Sequence, residues 1–152
     1  MCAWAPPPAL GRLPEQITDP ITTMLWGVTD ERVRAWLGPD GEGAGALTGC
    51  ASSPGVAEGL ARVLLRVDQT GELEDGEILV APVTSPSWTP FFHRIAAAVL
   101  DTGGIMCHAA IVAREYGLPA VVGTGIGTKT IRTGDRLRVD ADAGTVTILS
   151  IR

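Results

Sequence analysis

One stretch of this sequence, residues 97–122, limits the folds open to it more than any other. Ala97-Ala98-Val99-Leu100-Asp101 has the length and apolarity of a buried strand, and Gly103-Gly104 follows it. Glycine tolerates backbone angles closed to other residues, so the chain can turn sharply out of that strand. His108 to Tyr116 is an Ala-rich run that predicts a short helix, with Gly117 just past its end and Pro119 beyond. Ala120-Val121-Val122 predicts the next strand. A helix entered through a double glycine presents its unpaired N–H groups and the positive end of its dipole at the turn, and both favour a phosphate.

Around this unit the remaining chain divides by composition. Residues 1–46 predict an arm: a Pro-rich start, a helix after Asp19-Pro20 with Ile21, Met24, Leu25 and Val28 on one face, and a second helix capped by Thr29. Gly38-Pro39 ends that helix and opens a Gly-rich linker reaching Ala46. The arm carries Trp4, Trp26 and Trp36, large anchors suited either to packing on the main domain or to docking a partner. Residues 47–152 read mainly as strands. Gly59 to Val67 alternates, Ile78-Leu79-Val80-Ala81 is a short buried strand ended by Pro82, and Arg136 to Leu149 is a hairpin turning at Asp142-Ala143-Gly144. Thr89-Pro90 reads as the N-cap and first residue of a helix running to about Ile95. Strands of mixed spacing with few helices predict an α/β domain of layered β/β/α type.

Composition narrows the function classes. At 152 residues and 45% apolar content the chain can bury its own core, despite 19 glycines and 11 prolines. A net charge of −5 argues against nucleic acid as the main partner. Cys2, Cys50 and Cys107 form neither a disulfide scaffold nor a zinc spacing, so no metal is expected on the chain. The longest apolar run, Ile95 to Leu100, falls far short of the ~20 residues that span a bilayer, and the N-terminus lacks the pattern of a signal peptide. The expectation is a cytoplasmic protein with no membrane association.

His108 is one of two histidines. A histidine at such a turn can be a structural helix cap. It can also accept a phosphoryl group, because a free imidazole, with a reference pKa of ~6.5, is mostly neutral at pH 7 and keeps one nucleophilic nitrogen. A helix N-terminus disfavours imidazolium and favours a dianionic phosphate. Gly103 and Gly104 are then expected to bring bare backbone close to the phosphate, with Cys107 and Ala109 as small neighbours in the same loop. Cys107 next to a histidine is a weak candidate nucleophile, since adjacent residues point apart and no third orienting group is evident. Arg114 lies on roughly the opposite side of the helix from His108 and reads equally as a surface or interface arginine. Glu115 reads as surface, and His93 as structural or surface. Thr84, Ser85 and Thr89 flank Trp88, with hydroxyls placed either to cap helices or to lie near the histidine loop.

Gly103-Gly104-x-x-Cys107-His108-Ala109-Ala110-Ile111-Val112-Ala113-Arg114-Glu115, followed by Gly117-Leu118-Pro119-Ala120-Val121-Val122-Gly123, resembles the phosphohistidine (swivelling, or mobile) domain of phosphoenolpyruvate-utilising enzymes. That family includes phosphoenolpyruvate synthase, pyruvate phosphate dikinase and rifampin phosphotransferase. The resemblance extends upstream through Ser53-Pro54-Gly55 and Thr84-Ser85-Pro86-Ser87-Trp88-Thr89-Pro90, and downstream through Gly134-Asp135-Arg136 and Gly144-Thr145-Val146. It implies a swivelling β/β/α domain preceded by the short helical arm, with His108 phosphorylated on Nε2. Many relatives carry Thr two positions before the histidine; this chain has Met106, which offers no hydroxyl. The chain has no nucleotide loop and no room for an ATP-grasp domain or a phosphoenolpyruvate-binding barrel. The resemblance therefore implies a stand-alone carrier. ATP and Mg2+ would sit on a separate ATP-grasp-like nucleotide-binding subunit, and a further subunit would bind phosphoenolpyruvate, pyruvate or another acceptor. The rival expectations are a non-catalytic interaction module that keeps the fold, and a fragment of a larger synthase.

Overall fold

A computed structural model describes residues 46–151 of the chain. The arm predicted for residues 1–46 lies outside the described residues except for Ala46, which the sequence reading placed in the linker and which opens the first strand. Eight strands follow: β1 (Ala46–Thr48), β2 (Cys50–Ser53), β3 (Val56–Val63), β4 (Ile78–Ala81), β5 (Ala97–Leu100), β6 (Ala120–Val122), β7 (Arg136–Asp140) and β8 (Thr145–Ser150). Helix α1 (His108–Tyr116) joins β5 to β6, and the single turn α2 (Gly127–Thr130) follows β6. The strand order is β1-β8-β7-β3-β4-β5-β6-β2.

Strand β3 belongs to two layers. Its last residues, Ala61 to Val63, pair in parallel with β4, which continues in parallel to β5 and β6. Its first residues, Val56 to Leu60, pair antiparallel with β7, which leads to β8 and β1. β7 also contacts β6, a strand with which it does not pair, so the antiparallel half folds across the parallel one. The result is a β/β/α layering.

Period-two alternation assigns each strand residue to one of two cores. Ile78, Val80, Ala97, Val99 and Val121 meet Leu137, Val139 and Val146 between the two sheet layers. Leu79, Ala81, Ala98, Leu100, Ala120 and Val122 face the other way, against Ala109, Val112 and Ala113 of α1 and against Trp88 and Phe92. Covering both faces explains why β4, β5 and β6 read as unbroken apolar runs instead of alternating ones. Arg62 and Glu77 stitch the start of β4 to β3 through two hydrogen bonds of 2.9 and 2.8 Å. That pairing, chiefly the side-chain hydrogen bond, raises the Arg62 pKa.

Two predicted elements differ from the structure. The strand expected over Gly59–Val67 begins at Val56 and stops at Val63. Beyond it, Gln69 Oε1 accepts the N–H groups of both Leu65 and Arg66 at 3.0 Å and closes the chain into a 3-10 turn, Val67–Glu72. The helix expected from Thr89-Pro90 is instead a 3-10 turn, Pro86–Phe91, with Ser85 at its N-cap and Pro86 at its first position. Pro90 has no N–H to donate. Past the turn, the Arg94 carbonyl and the Ala96 N–H are taken by Gly76 and Glu77, which draws the segment into β5. Phe92 is fully buried at the end of that turn. Phe92→Ala should destabilise the domain by about 3–5 kcal/mol in urea titration, the range for a large aromatic removed from a packed core.

Candidate functional site

The C-terminal ends of the parallel strands β3, β4 and β5 all open at one rim, and the β5–α1 connection crosses it. Gly103 takes φ 127°, a left-handed value that strains any residue with a side chain. Space forbids one too: a Cβ there would lie 2.8 Å from Cys107 Sγ. Gly104 is buried and its carbonyl accepts the Cys107 N–H at 3.0 Å, which closes the turn just before the helix. Cys107 is the N-cap of α1, with extended backbone (φ −70°, ψ 161°) and no side-chain capping bond. Among the described residues no side chain therefore caps the first helical N–H groups, on His108, Ala109 and Ala110, at the positive end of the dipole. At the other end Gly117 takes φ 66° and closes the helix as predicted.

His108 is the first residue of α1 and is half-buried. Its Nε2 lies 3.2 Å from Thr89 Oγ1, the one side-chain hydrogen bond the ring makes among the described residues. With the ring proton on Nδ1, the threonine hydroxyl donates to the Nε2 lone pair; with the proton on Nε2, the ring donates to Thr89. Of the two placements the sequence left open for the hydroxyls beside Trp88, Thr89 thus takes the one near the histidine. The capping role goes to no side chain, because Thr89 sits inside the 3-10 turn and not at its start.

Beside the histidine is a cavity of about 330 Å³, lined by Val83, Thr84, Leu100, Thr102, Gly103, Cys107, His108 and Ala109. Four of the five candidate residues meet there. Gly104 does not line it and serves the turn through its carbonyl. Thr84, like Thr89, takes the second placement open to the hydroxyls beside Trp88, near the histidine loop. Val83, Leu100 and Thr102 had no signal in the sequence, since only the neighbouring of β4 and β5 carries their ends to the histidine. Among the described residues no Lys or Arg lines the cavity, and no group of three or more His, Cys, Asp or Glu side chains is placed to hold a metal ion. His93 is exposed, outside this lining, and so is Glu115.

Arg114 has a part that sequence reading missed. Its Nε donates to the Ser52 carbonyl at 2.8 Å, and its Nη2 donates to the carbonyl of Ile105. One guanidinium thus fastens the 103–107 loop to β2, although it points away from His108 as the helical spacing requires. Its partners are backbone carbonyls on two different elements, so no residue type elsewhere in the sequence marks them. Arg114→Lys should not replace it, because an ammonium is a point charge without the planar fork. Either Arg114→Lys or Arg114→Met is expected to lower stability by about 2 kcal/mol and to accelerate amide hydrogen exchange from Gly104 to Cys107 more than in β4 or β5.

Comparison with known proteins agrees with this architecture. The fold is an α/β domain that places a half-buried histidine at the start of a helix without a side-chain cap. Residues 73–144 match the family model of the PEP-utilising enzyme, mobile domain. Rifampicin phosphotransferase of Bacillus subtilis is 50% identical over 105 residues, 69% of this chain and 12% of that protein. A probable phosphoenolpyruvate synthase of Archaeoglobus fulgidus is 44% identical over 107 residues, covering 70% of this chain and 14% of that protein. Aconitase X of Thermococcus kodakaraensis shares the fold, with a TM-score of 0.53 and 23% identity over 69% of this chain and 98% of that one. The chain belongs to the family of mobile domains of phosphoenolpyruvate-utilising enzymes. It spans only 12 to 14% of the length of those two curated relatives. No helix among the described residues is long and apolar enough to cross a membrane.

Proposed function

We propose that this domain is a phosphoryl carrier: His108 takes a phosphoryl group from a nucleotide-binding subunit and passes it to a small-molecule acceptor. The observation that carries the reading is the placement of a half-buried imidazole on the uncapped N-terminus of α1, at the open rim of a domain of this family. In the loading step Nε2 of His108, its lone pair released by the Thr89 hydroxyl, attacks phosphorus, a P–N bond forms, and the donor's P–O bond breaks with its electrons leaving on oxygen. In the unloading step an acceptor oxygen attacks phosphorus and the P–N electrons return to the ring. Dividing one transfer into two through a covalent intermediate is the gain that a nucleophilic side chain offers. The helix dipole and the first-turn N–H donors favour the charged phosphoryl form.

The nucleotide and its Mg2+ belong on the partner, in this reading on an ATP-grasp-like subunit. The walls that the described residues build around His108 are mostly carbon, and among those residues none supplies a lysine for phosphates or a carboxylate for a metal. Pyruvate or another acceptor sits on a further unit, with phosphoenolpyruvate as the donor in the reverse direction. The relatives' greater length supports placing these activities outside the present residues.

The chain purified from its native cells under alkaline conditions should carry phosphate on His108, located by peptide mass spectrometry. The label should be lost in acid and survive base, as a phosphoramidate does. His108→Ala should lack it, and His93→Ala should keep it. An acid-stable label, or a label persisting in His108→Ala, would overturn the reading. Thr89 is the ring's positioning residue in the same scheme. Thr89→Val should slow loading about tenfold, the equivalent of one hydrogen bond of ordinary strength, and should broaden the His108 ring resonances, whereas Thr89→Ser should restore both.

A further inference from the structure

The cavity beside His108 contains one hydroxyl with nothing to bond. Thr84 is 8% exposed, and its Oγ1 is buried without a hydrogen-bond partner among the described residues. Every other threonine hydroxyl nearby is engaged. Thr102 donates to the Pro82 carbonyl at 2.8 Å, Thr124 donates to the Leu100 carbonyl at 3.2 Å, and Thr89 meets His108 Nε2. Thr84 lines the same cavity as His108 and Ala109, and a second, more open groove along Leu65, Val67, Ser85 and Trp88. Buried hydroxyls are nearly always partnered, so an orphan marks a place where a partner arrives from elsewhere.

A second set of donors lies at the start of α1, whose Ala109 lines the same cavity. Helix α1 has no side-chain cap among the described residues, and Ala109 and Ala110, which hold two of its first-turn N–H groups, are 2% and 0% exposed. Thr84 and Ala109, from two elements of the fold, line one cavity whose walls are mostly apolar. The group that satisfies them has several acceptor oxygens and is anionic, and it must be compact enough for about 330 Å³.

We propose that Thr84 is a phosphoryl-binding residue: its hydroxyl donates to an oxygen of the phosphoryl group carried by His108, supplying the donor that Met106 cannot. The assignment rests on the reading of His108 as the phospho-acceptor. Its chemical effect is to preserve the loaded state. Spontaneous loss of the phosphoryl group to water breaks the P–N bond through a loose, metaphosphate-like transition state. Charge drains from the phosphoryl oxygens as that bond opens, so a donor held against them stabilises the loaded histidine more than the transition state. Leu100, buried on the same walls, adds apolar surface beside the ring.

The test uses the full chain carrying His93→Ala, which leaves His108 as the single histidine, loaded with phosphoramidate and followed by 31P NMR. In loading, the ring nitrogen forms the new P–N bond and ammonia departs with the electrons of the old one. Thr84→Val should shorten the half-life of the phosphohistidine at neutral pH about tenfold, the equivalent of one hydrogen bond to a charged group, and Thr84→Ser should restore it. Because valine replaces an unpaired hydroxyl with a methyl group, the unloaded Thr84→Val chain should melt no lower than its parent. In the parent itself, loading should shift the Thr84 side-chain resonances. An unchanged half-life in Thr84→Val, or unshifted Thr84 resonances on loading, overturns the assignment while leaving His108 as acceptor. A Thr84→Val chain that melts well below its parent also overturns it, since the hydroxyl then serves the fold. Failure of the parent to label at His108 removes the underlying reading instead.

Discussion

Everything at the rim follows from the burial of the central strands on both faces. All the residues of β4, β5 and β6 are buried, half against the second sheet layer and half against α1 and the 3-10 turns. A strand with no free face has no side chain to spare for chemistry. Polar function is displaced to where the strands end and their backbones must turn. Asp101 shows the displacement first: buried just past β5, its carboxylate accepts hydrogen bonds from the Thr124 and Thr128 hydroxyls and the Thr128 N–H, which secures the β6–α2 segment. His108 comes seven residues later, once the chain has turned and entered α1.

The rim is held by backbone acceptors more than by side-chain pairs. Gly104 receives the Cys107 N–H, and Arg114 reaches the carbonyls of Ser52 and Ile105. With the turn fastened from both sides, the first-turn N–H groups of α1 need not be capped to stay in place. They form a fixed donor set, the kind of preorganisation that stabilises negative charge without rearrangement when it arrives. The Thr89 bond fixes the ring in the same sense.

Much of this was legible in the sequence, and the reasons differ by element. Ile78–Ala81, His108–Tyr116 and Ala120–Val122 were predicted with the bounds observed, because each is an apolar run ended by a residue that cannot continue it or that turns the chain: Pro82, Gly117 and Gly123. The hairpin turning at Asp142-Ala143-Gly144 was equally plain. Thr89-Pro90 misled because a good helix start occurs where the chain has only one turn before β5 must begin. His108, Gly103, Cys107 and Ala109 meet as local sequence predicts, since seven residues contain them all. Thr89 reaches the histidine, and Thr84 the cavity beside it, through the parallel pairing of β4 with β5 and the fold of the Trp88 turn, a long-range arrangement that no periodicity records. The Arg114 clamp was illegible for a related reason: its partners are carbonyls, which every residue has.

The two cores on either side of β4, β5 and β6 divide the molecule's labour. The turns that shape the site, around Trp88 and Gly103, rest on the core shared with α1, while Leu137, Val139 and Val146 seal the other side. Substitutions among the rim loops therefore perturb one hydrophobic layer and leave the second to hold the strands in register. A domain built this way can change its rim loops without renegotiating its fold. That separation leaves the rim free to change its chemistry while the architecture holds.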